Sequence, residues 1–254
     1  MWDWIGQIEK FKQQSKPVCL VTVAGVESSA PREIGAKMLV LEDGAFLGTI
    51  GGGNLELLAI EEAKKQLNQG NSTKIRFPLG AKTGQCCGGV MELLFESLNT
   101  GPHLYIFGAG HVGQSIARAL NDSAFSVHVV DERSEWISQL PENVISHAMD
   151  PEIFISQSLF NSLKTYCLVL THRHDLDETL INILLKKETR YLGLIGSESK
   201  WRRFQQRLSA RGVSPKKLEQ VKCPIGIGAL GKSPGEIAIS VGAELLQLHY
   251  GHSQ

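Results

Sequence analysis

The amino-acid sequence contains few cysteines and no excess of either charge. Only 5 of its 254 residues are cysteine, and such a sparse, odd-numbered set argues against a disulfide framework and for a reducing, cytoplasmic setting. The 26 basic residues balance 26 acidic ones, so electrostatics gives no reason to expect a nucleic acid or an anionic membrane as a partner.

Long apolar runs are missing as well. No run approaches the ~18 residues that a membrane-spanning helix needs, and the acidic, interrupted start of the chain, MWDWIGQIE, does not resemble a signal peptide. The composition is nevertheless 42% apolar and 20% charged, which permits a substantial buried core. We therefore expect a folded protein of one or two domains without a membrane span.

A cluster of turn-forming residues at positions 99–102 separates two patterns of secondary structure. Before it, strand-like runs, a hairpin signal at Asp43-Gly44 and one amphipathic helix predict a small N-terminal α+β domain over residues 1–99. After it, strands alternate with helices over residues 100–254, which predicts a parallel sheet covered on both faces. The predicted fold class is therefore α/β.

Three helices have recognisable ends or faces. In the first half, Asn54 is predicted to cap the start of a helix that Gly70 terminates. The last helix of the chain is predicted to begin at a capping box formed by Ser233 and Glu236. The buried face of a helix in the second half is predicted to contain Ile116, Ala119 and Leu120.

A glycine-rich loop lies near the start of the second half. Residues 108–113, GAGHVG, follow a predicted strand and open a predicted helix. In such a loop Gly108 permits the tight turn, Gly110 lets a phosphate approach the backbone, and Gly113 lets helix and strand pack closely. The helix amides then face the anion, and Asp131, about twenty residues further on, is placed to bind ribose hydroxyls. These features predict a Rossmann-like, doubly wound parallel sheet that either binds a dinucleotide or uses its glycines for packing alone.

Three successive glycines in the first half also lie between a predicted strand and a predicted helix: Gly51, Gly52 and Gly53. Their amides form a second candidate anion site, although Glu56 in the first helical turn would repel an anion. The alternative is a tight turn between two packed elements. In a nearby loop, Arg32 either pairs with a phosphate or carboxylate or is simply solvated.

The segment Gln85-Cys86-Cys87 is flanked by glycines that leave both thiols little steric cover. Exposed thiols of this kind can bind a soft metal or accept sulfur, whereas their adjacency does not fit structural zinc. The alternative is a glycine-rich turn with incidental small residues. Cys19 and Cys167, in contrast, lie in strand-like runs and are predicted core residues.

Polar and basic residues follow two of the later predicted strands. In an extended segment His172 and His174 would share one face and bind a metal or a proton-rich ligand; alternatively, Asp175 with Glu178 is a capping pattern that marks a helix start. Lys232, before the last helix, either reaches a phosphate or is an exposed lysine. The helix after residue 197 carries basic residues that are predicted to form a solvated face: Lys200, Arg202, Arg203 and Arg207.

Together these motifs resemble the XdhC/CoxI family, a group of accessory proteins for xanthine dehydrogenase and related molybdenum hydroxylases. Each motif alone is common, but the ordered set is specific. In the first half it consists of residues 29–32 (SAPR), 48–53 (GTIGGG) and 84–89 (GQCCGG). In the second half it consists of residues 107–113 (FGAGHVG), Thr171-His172 with Asp177, 193–197 (GLIGS), 223–226 (CPIG) and 231–238 (GKSPGEIA).

The resemblance implies a maturation factor and not an enzyme in the ordinary sense. Proteins of this family bind the molybdenum cofactor, a pterin (molybdopterin) with a dithiolene and a phosphate. They support exchange of an oxo for a sulfido ligand on the metal and deliver the cofactor to the apo-hydroxylase. The implied partners are xanthine dehydrogenase or a related molybdenum hydroxylase of purine catabolism and a cysteine desulfurase, and the implied assembly is a homodimer.

Combined with the residue chemistry, the resemblance implies two sets of cofactor-binding residues. The first half contributes Arg32, Gly51, Gly52, Gly53, Gln85, Cys86 and Cys87. The second half contributes Gly108, Gly110, His111, Gly113, Asp131, His172 and Lys232. Cys86 and Cys87 are the candidate metal ligands, because molybdenum favours sulfur, and no catalytic residue is assigned. The alternative function, suggested by the glycine loop with Asp131, is that of an NAD(P)-dependent oxidoreductase.

Overall fold

A computed structural model describes residues 2–80, 88–228 and 230–251 of the chain. The chain divides into two compact units, Met1–Gly101 and Pro102–Gln254. In the described parts of both units, no helix is long and apolar enough to cross a membrane.

The first unit contains a five-stranded antiparallel sheet in the order β3-β2-β1-β5-β4. Its strands are β1 (Val18–Glu27), β2 (Lys37–Leu41), β3 (Phe46–Gly48), β4 (Ser72–Pro78) and β5 (Val90–Leu98). Its helices are α1 (Trp4–Gln13) and α2 (Gly53–Gln69). This unit therefore has the α+β character that the sequence predicts.

The alternating side chains of β1 contact a different helix on each face of this sheet. Cys19 and Val21 are buried in the cluster that contains the apolar side chains of α2, whereas Val18 and Leu20 are buried with Phe11 of α1. Helix α1, which was not predicted from the sequence, therefore packs on the face opposite α2.

Two glycines have their predicted places in this unit, one in a hairpin turn and one at the end of α2. The start of α2 is not where the sequence predicted it. β2 and β3 form a hairpin whose turn contains Gly44 at φ +87°, and α2 ends at Gly70 in the left-handed conformation. The N-cap of α2 is Gly52, and Asn54 lies inside the helix. The predicted cap is wrong because α2 begins at Gly53, and the carboxylate of Glu56 reaches back to the amide of the N-cap residue, as the acidic residue of a capping box does.

The second unit contains a six-stranded parallel sheet with helices on both faces. Its strands are β6 (His103–Phe107), β7 (Ser126–Asp131), β8 (Ile145–Ala148), β9 (Thr165–Val169), β10 (Tyr191–Leu194) and β11 (Val221–Lys222). Its helices are α3 (His111–Leu120), α4 (Ser134–Ile137), α5 (Pro151–Gln157), α6 (His174–Leu184), α7 (Glu198–Ala210), α8 (Pro215–Leu218) and α9 (Pro234–Tyr250).

The order of these strands is that of a Rossmann fold. The sheet runs β8-β7-β6-β9-β10-β11, with all pairings parallel. Numbered from the first strand of the unit, this is the order 3-2-1-4-5-6 of dinucleotide-binding domains. The predicted doubly wound parallel sheet is confirmed.

The strands of this sheet bury side chains on both faces. On β6, Tyr105 and Phe107 belong to the core shared with α5, α6 and α7, whereas Leu104 and Ile106 belong to the core shared with α3 and α9. Burial on both faces explains why such strands are unbroken apolar runs in the sequence.

The helices that flank this sheet agree with their predicted patterns except at one residue. Helix α3 buries side chains at the spacing of a helical stripe, including Ile116, Ala117 and Leu120. Ala119 falls outside that spacing and is exposed, so its predicted place in the core is wrong. Helix α9 begins at the predicted capping box, in which the amide of Ser233 donates to Glu236 at 2.9 Å.

Three histidines form a hydrogen-bonded chain across adjacent strands of the second unit. Nδ1 of His103 on β6 is 3.4 Å from Nε2 of His128 on β7, whose Nδ1 is 3.1 Å from Nε2 of His147 on β8. Burial lowers the pKa of His147 to about 4, so this imidazole is neutral at pH 7. Residues 1–101 contain no histidine, so every imidazole of the chain lies in the second unit.

Candidate functional site

The glycine loop of the second unit joins β6 to α3, and packing requires two of its glycines. Gly108 has φ +122° and lies against the backbone carbonyl of Leu170, at the end of β9. Gly113, in the first turn of α3, lies against the carbonyl oxygen of Gly108. A Cβ atom at either position would overlap these oxygens, so both glycines let the loop and helix approach the sheet.

Gly110 differs from the other two glycines of the loop. Its φ of −65° is accessible to any residue, and a Cβ atom here would meet no heavy atom of the described residues within 4 Å. Neither backbone conformation nor packing within the described chain therefore explains a glycine at this position. The open space lies beside the first amides of α3, where a phosphate would approach.

Asp131, at the end of β7, binds the backbone of the glycine loop. Its Oδ2 accepts a hydrogen bond from the amide of Ala109 at 2.8 Å, and its two oxygens accept from the Arg133 guanidinium at 2.7 and 2.8 Å. Burial alone would raise the pKa of Asp131, but these hydrogen bonds outweigh it and hold the pKa below its ordinary value. The carboxylate thus fixes the loop, and a ribose would have to share its oxygens with Arg133.

Aromatic and cationic side chains lie beside this loop. The exposed His111 meets the edge of Trp136, with the two ring centroids 5.1 Å apart. The guanidinium of Arg133 lies 5.2 Å from the centroid of the same Trp136 ring. Trp136 therefore brings His111 close to the Asp131–Arg133 pair.

A shallow pocket lies where the strand order reverses, between the ends of β6 and β9. Its lining includes Gly108, Asp131, Pro151, Thr171 and His172. Ligands of doubly wound sheets bind at such a reversal point. Three predicted site residues, Gly108, Asp131 and His172, are therefore neighbours.

His172 and His174 do not share one face as predicted. Helix α6 begins at His174 with Arg173 as its N-cap, so the backbone enters a helix between the two histidines. His172 lines the reversal-point pocket, and His174 lines a different cleft. The helix start that the alternative predicts is confirmed, but Asp175 is not its cap, because Asp175 lies inside the helix and pairs with the Arg173 guanidinium at 2.5 Å.

A buried carboxylate connects β9, α6 and α7. Asp177 is 1% exposed and accepts hydrogen bonds at 2.7 Å from the hydroxyl of Thr171 and from the ammonium of Lys200. The same ammonium donates to the carbonyl oxygen of Ile195 at 3.0 Å. Lys200 therefore does not belong to a solvated basic face. The family motif contains Thr171 and Asp177, but only the tertiary structure reveals that Lys200 is their partner.

The glycine turn of the first unit is closed by a carboxylate of the same chain. Glu56 Oε1 accepts hydrogen bonds from the amides of Ile50 at 3.1 Å and Gly52 at 2.9 Å, and from the hydroxyl of Thr49. These amides are the ones that an external anion would use. Glu56 was expected to repel an external anion. In the structure its own carboxylate binds the amides that such an anion would need.

The remaining predicted residues lie at separate places within their units. Gly51 packs against Pro31, which brings the exposed Arg32 next to the glycine turn. Gly53 is the first residue of α2. Lys232 is exposed and directly precedes the N-cap of α9.

Among the described cysteines, the two in strands are fully buried, and Cys223 is partly buried against the core of the second unit. Gln85, Cys86 and Cys87 lie outside the described residues. Cys19 and Cys167 are buried as predicted, and burial raises the pKa of Cys19 to about 12. Within residues 2–80, 88–228 and 230–251, no group of three or more His, Cys, Asp or Glu side chains is arranged to hold a metal ion.

The strand order and the glycine loop define a protein with a Rossmann-type second unit. A profile of the XdhC Rossmann domain matches residues 104–245, and a profile of the XdhC and CoxI family matches residues 11–78. The chain therefore belongs to the XdhC family, as its motifs indicated.

Curated relatives include both named and uncharacterised proteins. The uncharacterised protein YqeB of Escherichia coli is 29% identical over 94% of this chain and 45% of its own length. A probable xanthine dehydrogenase subunit of Bacillus subtilis is 30% identical over 61% of this chain and 46% of its own length. The molybdenum cofactor insertion chaperone PaoD of E. coli is 24% identical over 92% of this chain and 85% of its own length. The chain thus spans less than half the length of the first two relatives.

A solved structure is similar over the whole chain. The crystal structure of a xanthine dehydrogenase from Bacillus halodurans, at 2.80 Å resolution, matches with a TM-score of 0.52 and 21% identity. The match covers 100% of this chain and 97% of the other. This likeness supports the fold described above.

Proposed function

We propose that this protein acts in the maturation of molybdenum hydroxylases. It binds the molybdenum cofactor as cargo, supports its sulfuration, and delivers it to xanthine dehydrogenase or a related molybdenum hydroxylase. Membership of the XdhC family supports this proposal, as do the names of two relatives, a molybdenum cofactor insertion chaperone and a probable xanthine dehydrogenase subunit.

The observation that carries the proposal is the open space at Gly110. A glycine that neither packing nor conformation explains, next to the first amides of a helix, fits a phosphate group. We assign the phosphate of the cofactor to Gly110 and the first turn of α3, with His111 beside it. Gly108 and Gly113 shape the loop, and Asp131 fixes it in place.

The other predicted residues receive roles that follow from their chemistry. Cys86 and Cys87 are the proposed contacts of molybdenum or of its sulfur ligand, because this metal favours sulfur donors. Arg32 and Lys232 are proposed to attract the anionic cargo, and His172 to contact it at the reversal point. The sulfur comes from a cysteine desulfurase in this proposal, and the proposed assembly is a homodimer.

Co-expression with the cofactor pathway tests the proposal. The isolated protein is analysed for molybdenum by mass spectrometry and for the pterin by fluorescence after oxidation. We expect both in matching molar amounts in the wild type. We expect less of both in Gly110→Ala, because the added Cβ enters the space assigned to the phosphate. Gly235→Ala is the matched control, since a Cβ there also meets no described heavy atom within 4 Å; it should retain the cargo.

Two results would contradict the proposal. Absence of both molybdenum and pterin from the wild-type protein would refute cargo binding. Equal retention by Gly110→Ala and the wild type would remove the glycine loop from the site. Separately, we expect the double variant Cys86→Ser/Cys87→Ser to fold normally and to retain less molybdenum; unchanged molybdenum content would exclude the two thiols.

An NAD(P)-dependent oxidoreductase is the second candidate, because the strand order and glycine loop are those of dinucleotide-binding domains. The position of Asp131 counts against it, since both carboxylate oxygens already bind Arg133 and one binds Ala109. Titration of the purified protein with NADH and, separately, with NADPH, followed by nicotinamide fluorescence, separates the two candidates. Saturable micromolar binding with hydride transfer would favour the oxidoreductase, and unchanged emission would exclude it.

A further inference from the structure

We infer that the second unit carries a further small-molecule site, distinct from the glycine loop, which binds an organic anion with an apolar body. The site consists of two adjoining clefts at the carboxyl ends of β9, β10 and β11. Ile195 and Gly196, directly after β10, line both clefts. Each cleft has a volume of about 520 Å³, which is within the range of known ligand sites.

The first cleft, between β9 and α7, has more polar residues in its lining than the second. Its polar lining comprises Thr171, His174, Ser197, Ser199, Lys200 and Arg203, with Arg207 at its edge. No aspartate or glutamate is among the described residues that line it. Hydroxyl groups and cationic side chains are the groups that hold a phosphate or carboxylate.

The positive charge of this cleft comes mainly from Arg203. The ammonium of Lys200 is neutralised by Asp177 at 2.7 Å, and the guanidinium of Arg207 by Glu178 at 2.6 Å. Among the described residues Arg203 has no ion pair, and its side chain is exposed. An anion in the polar cleft would therefore pair with Arg203.

The second cleft, between β11 and α9, is lined mainly by apolar residues, together with Lys222, Glu236 and Ser240. Its apolar lining comprises Ile195, Pro224, Ile225, Ile227, Leu230 and Ile237. Of these residues, Ile227 is 51% exposed and Leu230 is 55% exposed. An apolar ligand group in this cleft would cover these side chains and so remove apolar surface from water.

Hydrogen bonds to two glutamates hold the wall of the apolar cleft in place. The amide of Gly226 and the hydroxyl of Tyr191 donate to the same oxygen of Glu244, at 2.6 and 2.7 Å. The carboxylate of Glu236, which also lines this cleft, accepts hydrogen bonds from two backbone amides at 2.9 and 3.0 Å. A ligand would therefore meet a formed cleft and would not have to order it.

The two clefts together define the ligand class. A compact apolar group fits beside Ile227, and one phosphate or carboxylate fits beside Arg203. Because the clefts meet at Gly196, one molecule can occupy both. A Cβ at this position would come within 2.6 Å of the Lys200 side chain, so glycine leaves room for that side chain at the junction.

Binding of 1-naphthyl phosphate to the purified full-length protein tests this inference, with 1-naphthol and inorganic phosphate as the separate halves. We expect the complete probe to bind at least about tenfold more tightly than either half. Arg203→Gln should weaken binding about fivefold, and its neighbour Arg202→Gln is the matched control. Ile227→Ser should weaken binding about threefold, and Ile239→Ser, at a residue 66% exposed on α9 outside both clefts, should not.

Three results would overturn the inference. The first is no binding of 1-naphthyl phosphate tighter than about 10 mM. The second is inorganic phosphate binding as tightly as the complete probe, since the apolar cleft would then be unused. The third is an equal effect of Arg203→Gln and Arg202→Gln. The experiment needs no molybdenum, so its failure would leave the proposed maturation role standing, and failure of that role would leave this site standing.

Discussion

The two glycine loops of this protein each engage a carboxylate, but with different consequences. In the first unit, Glu56 of the helix that follows the loop binds the amides of Ile50 and Gly52. In the second unit, Asp131 of the neighbouring strand binds the amide of Ala109 and leaves the space at Gly110 open. A glycine-rich loop before a helix is therefore insufficient to predict an anion site. In these two loops, the position of the carboxylate, on the following helix or on the neighbouring strand, decides whether the amides at the start of the helix remain available to an anion.

The largest effect should come from the glycine that packing requires. Gly113→Ala should lower the free energy of unfolding by about 3 kcal/mol, because the added Cβ would overlap the carbonyl oxygen of Gly108. Gly110→Ala should cost less than about 1 kcal/mol, since its surroundings are open. Urea unfolding followed by circular dichroism measures both. Equal destabilisation by the two variants would contradict the view that packing requires glycine at position 113 but not at position 110.

Removal of the charge of Asp131 should have the next largest effect. Asp131→Asn should cost about 2 kcal/mol, because Arg133 then loses its ionic partner in a partly buried place. Asp122→Asn, at an exposed carboxylate of the same unit, is the control and should change stability by less than about 0.5 kcal/mol. The same urea titration applies. If the two variants behave alike, Asp131 does not fix the loop.

The carboxylate of the first loop should contribute less. Glu56→Gln should lower stability by about 1 kcal/mol, because the amide side chain retains part of the hydrogen bonding without the charge. The exposed Glu61, which pairs with Lys64 on the same helix at 3.6 Å, provides the control. Glu61→Gln should be nearly neutral in the same unfolding measurement. A larger loss for Glu56→Gln than for Asp131→Asn would reverse the proposed ranking of the two loops.

At mildly acidic pH the smallest effect should come from the histidine chain, and only in the second unit. The pKa of His147 is lowered by burial from 6.5 to about 4, so its neutral form contributes stability above pH 6.5. That contribution is lost as the pH falls from 6.5 towards 4. His147→Gln should therefore flatten the dependence of unfolding free energy on pH in this range. An unchanged pH dependence in His147→Gln would show that this imidazole does not titrate as described.

Local and periodic patterns made much of the second unit predictable. The alternation of strands and helices, the glycine loop and the capping box at Ser233 and Glu236 each involve residues close together in the sequence. The ends of β6 and β7 carry Gly108 and Asp131, which the glycine-loop pattern predicted to contact the same dinucleotide.

Contacts between residues distant in the sequence were not predictable. Lys200 looked like part of a solvated basic face, because its partner Asp177 lies 23 positions away on another helix. Asn54 looked like a helix cap, because nothing in the sequence revealed that Glu56 would bind the preceding amides. The separation of His172 from His174 follows from the exact residue at which α6 begins, and helix starts are poorly determined by pattern alone.

The hydrogen bond between Asp131 and the amide of Ala109 has a consequence for the timing of binding. Because this bond within the chain fixes the backbone of the turn, a phosphate bound at Gly110, as we propose, would not have to restrict a mobile backbone. Release of the phosphate would likewise leave the turn intact. The proposed binding and release of the cofactor at Gly110 would then need no local folding or unfolding of the loop.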